Sequence, residues 1–210
     1  MGERFQHATG DRIPLLDIDE ARRRAVQAGI PGYMAELSVF RTLLHNPGVA
    51  TAINGMLHQL LWRGTLDTRL RELLIMRIGW STGAVYEWTQ HWAVALAAGV
   101  GADDLLAVRD WSTYEGFGAV ERAVLAATDE SLADGRISDR TWAACAEHLD
   151  EATLVELVAA IGNWTLFARL LPSLGVPLED DVEPWPPDGR TPDDPVGELR
   201  VGGTPRSGDR

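Results

Sequence analysis

Signals that begin and end helices are the feature that most constrains the fold of this chain. Asn46 followed by Pro47 is typical of an N-cap and a first helical turn, and the helix they begin is expected to end at Gly64. Asp67 can cap the next helix, which the Ser-Thr-Gly sequence at 81–83 interrupts. The alternation of apolar and polar residues that marks a half-buried strand is nearly absent. The sequence therefore predicts an all-helical protein.

Signals of the same kind continue through the second half of the chain. A third helix is expected from about residue 84 to residue 98, and a further helix from residue 119 to residue 133. Ser138 can cap a short helix, and Asp150 can cap a long one that Pro172 is expected to stop. Apolar residues recur at helical spacing within these segments, so the helices should pack around a common core.

The chain is expected to form one helical domain followed by a tail. With 210 residues, 45% of them apolar, it can bury one core, which we assign to residues 1–179. Residues 180–210 are dense in Pro, Gly and Asp and nearly lack aliphatic side chains, so they cannot bury enough to offset their chain entropy. A flexible tail is predicted there. Trp185 is the one residue in it that could pin its start to the body or to a neighbouring subunit.

Charge and composition exclude several classes of function. A net charge of −12 argues against nucleic-acid binding, which needs a basic surface. We find no apolar run of membrane-spanning length and no signal peptide, so no membrane partner and a cytoplasmic location are expected. Cys145 is the single cysteine, so neither an internal disulfide nor a cysteine-based zinc cluster can form. The chain has no lysine, which removes Schiff-base chemistry, lysine-anchored pyridoxal phosphate and the P-loop.

A polar pair on the third helix is the first candidate for chemistry. Glu87 and His91 are four residues apart, so their side chains are neighbours on one helix, at the edge of the apolar face that contains Trp88. A half-buried pocket would place an acid and a base at such an edge. A solvated surface pair is the more frequent reading of this spacing.

Two charged residues on the preceding helix are further candidates. Glu72 is either a first-turn glutamate favoured by the positive helix end, or a general acid or base that faces the next helix. Arg77 falls within the stripe formed by Leu66, Leu70, Leu73 and Leu74, where an unpaired guanidinium would be costly. It should pair with a buried carboxylate, which is the more frequent case, or with an anionic substrate.

Other residues have a structural and a functional interpretation. Trp80, Trp88, Trp92 and Trp164 could line an aromatic pocket, although core packing accounts for most tryptophans on helices. Cys145 is most simply a small buried hydrophobic residue. A metal held by Glu72, Glu87 and His91 is conceivable but is the least favoured interpretation.

The segment of residues 69–100, RLRELLIMRIGWSTGAVYEWTQHWAVALAAGV, resembles the carboxymuconolactone decarboxylase and alkylhydroperoxidase-D-like (AhpD-like) family. In the thiol-dependent members of that family, a glutamate is followed on the next helix by Cys-x-x-Cys-x-x-x-His. Aligned by its histidine, the pattern places Glu72 on the family glutamate and His91 on the family histidine. The two cysteine positions then fall on Ala84 and Glu87, so the thiol cycle of a peroxidase, which needs both sulfurs, is impossible here.

The resemblance extends over roughly residues 30–179 and carries several expectations. It implies the all-α bundle of this family and a homo-oligomer, from a dimer to a hexamer, that uses no cofactor and no metal. It also implies the chemistry of a cysteine-free branch, in which a lactone acid is decarboxylated with proton delivery. That step needs proton donors and a way to stabilise an enolate, and it does not need sulfur.

These observations lead to one hypothesis for the site and one rival. His91 would transfer the proton of a small-molecule substrate, and Glu72 would orient it or act as the second acid–base group. Residues expected to bind substrate or to line the pocket are Glu87, Tyr86, Trp88, Arg77, Trp80 and Trp164. The rival is a non-catalytic binding or assembly protein. The two differ in whether Glu72 and His91 meet in a closed cavity with apolar walls.

Overall fold

The computed structural model describes residues 12–194, and all regular structure in this range is helical. A 3₁₀ turn at Gly32–Glu36 precedes α2, a π turn at Gln59–Arg63 continues α3, and a second 3₁₀ turn at Val108–Asp110 continues α6. The nine helices within these residues are α1 (Ile18–Gln27), α2 (Ser38–Leu43), α3 (Pro47–His58), α4 (Thr68–Thr82), α5 (Val85–Ala97), α6 (Ala102–Ala107), α7 (Ala119–Asp134), α8 (Asp139–Ala146) and α9 (Glu151–Leu174).

The expected helix boundaries are formed largely by local capping. The side chains of Asn46, Asp67, Ser138 and Asp150 each accept a hydrogen bond from a backbone N–H in the first turn of the helix that follows. Gly83 ends α4 in the left-handed region, with φ of 68°, which favours glycine. The all-helical prediction is confirmed.

The last helix differs from its prediction in length. α9 continues past Pro172 to Leu174 and ends at Gly175, which has φ of 72°. A proline in the last turn removes one hydrogen bond but leaves the next two residues free to keep helical angles. By length and composition alone, α9 could cross a membrane. This finding corrects the expectation that no apolar run reaches membrane-spanning length. In the fold, 50% of the most apolar stretch of α9 is buried.

Helix α4 lies at the centre of the fold and positions the site. It packs against α5, α7 and α9, and most of its residues from Leu70 to Gly79 are buried. At Gly79 an added Cβ would lie 3.1 Å from the backbone nitrogen of Trp88, so α4 and α5 approach each other closely only because this residue is glycine. This close packing brings Glu72 on α4 next to His91 on α5.

The packed body extends beyond the predicted boundary at residue 179. Residues 176–190, which we call the C-terminal strap, run back over α5, and Trp185 is only 5% exposed within a cluster that contains Trp80 and Trp88. The indole of Trp88 donates to the carbonyl of Pro186 at 2.9 Å. Trp185 thus anchors this segment to the body, as one reading of the sequence allowed.

An ion pair adds a second anchor for the strap. Arg109 donates to both carboxylate oxygens of Asp188, at 2.8 and 3.0 Å, while its guanidinium lies over the rings of Trp80 and Trp88. The predicted flexible tail of residues 180–210 therefore has an ordered first part. Its last residues, 195–210, lie outside the described part of the chain.

Candidate active site

A cavity of about 340 Å³ lies between the 3₁₀ turn at Gly32–Glu36, α2, α3, α5 and α9. This volume is at the lower end of the range for small-molecule pockets. The polar residues in its wall are Arg71, Glu87, Gln90 and His91. The aromatic residues in its wall are Tyr33, Phe40, Trp62, Tyr86, Trp164 and Phe167. A small, largely apolar compound fits such a surface.

Glu72 and His91 form a buried hydrogen-bonded pair at the inner end of this cavity. The Nδ1 atom of His91 lies 2.8 Å from Oε2 of Glu72, and Glu72 is fully buried behind the histidine. Burial alone would raise the pKa of Glu72, but the hydrogen bond and charge of His91, together with the charge of Arg71, lower it below its usual value. Because an ionised carboxylate can only accept, Nδ1 of His91 carries the proton.

The other nitrogen of His91 is contacted by an indole from α9. Trp164 donates its Nε1–H to Nε2 of His91 at 3.2 Å, so Nε2 holds a lone pair in the neutral ring. Burial lowers the pKa of His91, but the hydrogen bond to Glu72 and the charges of Glu72 and Glu87 outweigh this effect and raise it. The Trp164 N–H acts in the opposite direction, because it occupies the lone pair that an added proton would take.

Glu87 presents an unpartnered carboxyl group to the cavity. It is 4% exposed, its Oε2 lies 3.8 Å from Nε2 of His91, and it makes no hydrogen bond within residues 12–194. Burial raises the pKa of Glu87 to about 7, against a smaller lowering by the charge of His91. Glu87 therefore exists in both protonation states near neutral pH, close to a histidine that can exchange a proton with it.

Arg71 is a site residue that the sequence analysis missed. Its guanidinium donates to Oε1 of Glu72 at 3.1 and 3.2 Å, and it also donates to the carbonyls of Leu60 and Leu61 at 3.3 and 3.4 Å. Those carbonyls belong to the π turn at Gln59–Arg63, where the usual helical pairing is broken. The adjacent charged residues at 71 and 72, directly before the apolar run at 73–76, were the only signal in the sequence.

Glu179 was also missed, and it explains the placement of Tyr86. The Tyr86 hydroxyl donates to Oε1 of Glu179 at 2.7 Å, and Gln90 donates to Oε2 of the same carboxylate. Burial and then the charge of Glu179 raise the pKa of Tyr86. Tyr86 contributes to the cavity wall as expected, but its O–H is directed at the C-terminal strap.

Three expected substrate-binding residues lie outside the cavity wall. Arg77 forms a bidentate ion pair with Asp129, at 2.6 and 2.9 Å. This is the pairing with a carboxylate that the sequence analysis gave as the more frequent of its two alternatives. Trp80 and Trp88 pack in the cluster beneath the strap, because position 88 is turned by about 100° from position 87 on the same helix. Of the tryptophans considered, Trp164 is the one that lines the cavity.

The sequence also suggested that Glu72, Glu87 and His91 could hold a metal ion. Within residues 12–194 no three His, Cys, Asp or Glu side chains lie in an arrangement that could hold a metal ion. Glu72, Glu87 and His91 are instead arranged in a row, with the histidine between the two carboxyl groups. This row suits the movement of a proton.

Comparison with known proteins connects this site to a family. A sequence model of the carboxymuconolactone decarboxylase family matches residues 47–130, which contain α3 to α5 and the residues Glu72, Glu87 and His91. No curated protein matches the chain significantly.

Solved structures of similar fold include an uncharacterized peroxidase-related protein with an alkylhydroperoxidase AhpD core from Ralstonia eutropha JMP134. It is 20% identical, with 80% of this chain and 92% of that chain covered and a TM-score of 0.66. A variant of the debrominase Bmp8 in complex with 2,3,4-tribromopyrrole is 19% identical, with coverages of 83% and 95% and a TM-score of 0.65. Residues 47–130 thus match the carboxymuconolactone decarboxylase family, and the fold around them is that of the AhpD-like proteins.

Proposed function

We propose that the protein is a cofactor-free acid–base enzyme that moves a proton on a small carboxylate, lactone or keto compound. Decarboxylation is the first candidate reaction, and isomerisation would use the same groups. One observation carries the proposal: Glu87 lies in an apolar cavity wall without a hydrogen bond, 3.8 Å from Nε2 of a histidine whose other nitrogen is held by Glu72. Buried acids and bases with shifted pKa values concentrate at active sites.

Each member of the row has a distinct role in the proposed mechanism. Glu87 in its acid form faces the substrate and donates its proton. His91 then returns a proton to the Glu87 carboxylate. Glu72 is not part of the cavity wall, so its role is to orient His91 and stabilise its protonated form. This role replaces the alternative in which Glu72 acts directly on the substrate.

The proton balance of a decarboxylation follows from these roles. Cleavage of the C–C bond releases carbon dioxide and leaves the electron pair on an enolate. The Glu87 carboxyl protonates the enolate carbon and becomes a carboxylate, which takes the Nε2 proton of a His91 that is protonated on both nitrogens; solvent then reprotonates Nε2. The apolar wall favours the step, because a carboxylate held there loses its hydration before it leaves as an uncharged molecule.

Thiol chemistry does not compete with this proposal. Cys145 is buried on α8, outside the cavity, and burial raises the pKa of its thiol to about 11. A peroxidase cycle needs one sulfur to attack and a second to resolve, and the corresponding positions hold Ala84 and Glu87.

The proposal is tested by deuterium exchange from D₂O into a panel of small lactones and keto acids, followed by proton NMR. Wild type should accelerate exchange at the carbon next to the carbonyl of at least one compound. His91→Ala should lose about 10² to 10⁴-fold of that rate, the range for a positioned proton-transfer group. His148→Ala, at an exposed histidine on another helix end, is the matched control and should keep the full rate.

Two results would overturn the enzymatic reading. Compounds that bind but exchange no faster than in buffer would favour the rival, a non-catalytic binding protein. Exchange at the wild-type rate in His91→Ala would remove His91 from the mechanism.

A further inference from the structure

We infer that the cavity selects a ligand whose polar end is a hydrogen-bond donor, an O–H or N–H on an otherwise apolar ring, and that Glu87 is the specificity-determining residue that accepts it. The inference deepens the proposed function and takes from it only the location of the site. It excludes a ligand carboxylate from a hydrogen bond with Glu87. A substrate carboxylate that leaves as carbon dioxide would point away from Glu87, toward the apolar wall.

The donor groups at the inner end of the cavity each make at least one hydrogen bond to a protein acceptor. Arg71 donates to Glu72 and to two carbonyls of the π turn. Trp164 donates to His91, and His91 donates to Glu72. An acceptor group on a ligand, such as a carboxylate or an ether oxygen, would therefore compete with protein acceptors for these donor groups.

The donors of α5 at the other side of the cavity are engaged in the same way. Tyr86 donates its O–H to Glu179, and the side-chain amide of Gln90 donates to the same carboxylate. Glu179 thus draws both groups toward the C-terminal strap.

Among the acceptors in the cavity wall, the carboxyl group of Glu87 has no donor. Both carboxyl oxygens of Glu87 lack a hydrogen bond in the described part of the chain, although the residue is only 4% exposed. The oxygens of Glu87 are therefore accessible from the cavity, where water has few other polar groups to bind. A ligand O–H or N–H would satisfy this group.

The balance of charge also opposes a ligand carboxylate beside Glu87. The cation Arg71 is already neutralised by Glu72, with Nε and Nη2 both on Oε1. A carboxylate beside Glu87 would face a second acidic group with no free cation in the cavity wall. A protonated His91 would not supply a free donor, because the Glu87 carboxylate, 3.8 Å away, is the acceptor for its Nε2–H. An uncharged donor avoids this repulsion.

The inference is tested with three ring compounds of similar size that differ in one group: phenol, anisole and benzoate. Dissociation constants are measured at pH 7 by ligand-observed NMR. We expect wild type to bind phenol about tenfold more tightly than anisole, the effect of one hydrogen bond, and to bind benzoate more weakly than phenol. Glu87→Leu should abolish the preference for phenol over anisole without weakening anisole.

Two further variants keep the test decisive. Glu87→Gln offers an amide N–H in the same place, so it should strengthen binding of benzoate and anisole relative to phenol, and it serves if Glu87→Leu does not fold. Glu147→Gln, an exposed glutamate on another helix end, should leave all three constants unchanged. Equal binding of phenol and anisole by wild type, benzoate bound more tightly than phenol, or a preference that survives both Glu87 variants would overturn the inference.

The proposed ligand class and the proposed function can be contradicted independently of each other. Binding needs no turnover, so benzoate bound more tightly than phenol, with deuterium exchange intact, would overturn only the ligand class. A Glu87-dependent preference for phenol in a protein that exchanges no proton would overturn only the enzymatic proposal.

Discussion

At the scale of the residue, the site combines two carboxyl groups that experience opposite environments. Glu72 is buried but receives hydrogen bonds from His91 and Arg71, so its pKa is lowered despite burial. Glu87 is buried without a hydrogen-bond partner, so its pKa is raised to about 7. Pairs of titratable groups whose environments separate their pKa values are the usual basis for assigning an acid and a base.

This difference predicts that the same substitution affects stability much more at Glu72 than at Glu87. Glu72→Gln removes the charge that balances a buried Arg71, so we expect it to lower the free energy of unfolding by about 3 kcal/mol. Glu87→Gln replaces a carboxyl group that has no protein partner, so we expect a change within about 1 kcal/mol. Urea unfolding of both variants at pH 7 measures the two values. Equal losses would contradict the assigned environments.

Sequence reasoning found part of this constellation because part of it is local. Glu87 and His91 are one helical turn apart, so their proximity follows from helix geometry. Glu72 was a candidate acid or base from its residue type, and the family resemblance assigned it to the site. Trp164 was expected to lie near the site, but its bond to Nε2 of His91 depends on how α9 packs on α5, which no spacing in the sequence specifies. The role of Arg71 depends in the same way on the π turn that receives it.

At the scale of the element, the positions of helix ends were predicted better than the packing of helices and segments on one another. Caps such as Asn46 and Asp150 bond to their own backbone within three residues, so the sequence specifies them directly. The C-terminal strap was not predicted beyond a possible anchor at Trp185. Its order depends on contacts with Trp88 and Arg109, which are distant in sequence and which its own composition cannot indicate.

The close packing of α4 on α5 makes a prediction at this scale. In Gly79→Ala the new Cβ would lie 3.1 Å from the nitrogen of Trp88, so the helices must separate by a few tenths of an ångström. We expect a loss of about 1–3 kcal/mol in the free energy of unfolding, together with a longer bond between Glu72 and His91.

Gly162 on α9 provides the matched control for this substitution. It is exposed, and an added Cβ would meet nothing within 4 Å. Gly162→Ala should therefore raise the free energy of unfolding by up to about 1 kcal/mol, as alanine does in a helix. Thermal melts of both variants make the comparison. A Gly79→Ala variant as stable as Gly162→Ala would contradict the account of helix packing.

At the scale of the whole molecule, apolar side chains surround the mouth of the cavity. Tyr33 is 59% exposed, Trp62 54% and Val94 47%, and all three also line the cavity. Exposed apolar surface of this kind is typical of an interaction site. Together with the family resemblance, it supports our proposal that the protein assembles into a homo-oligomer between a dimer and a hexamer.

Light scattering at micromolar concentration measures this assembly. We expect a mass of at least twice the 23.0 kDa of one chain. Trp62→Glu would place a charge on the proposed interface and should lower the mass, whereas Trp142→Glu, at an exposed tryptophan on α8, should not. A wild-type mass of one chain would contradict the proposal.

The central claim, that Glu87 and His91 act as an acid–base pair, is tested most directly by the pH dependence of deuterium exchange. Exchange begins when the Glu87 carboxylate removes a proton from the substrate carbon and ends when the Glu87 carboxyl returns a deuteron, so the wild-type rate should rise as the pH rises through about 7, the value to which burial raises its pKa. Glu87→Gln should be slower by about 10² or more and should lack that rise. A wild-type rate that is flat between pH 6 and 8, or the same profile in Glu87→Gln, would contradict the claim.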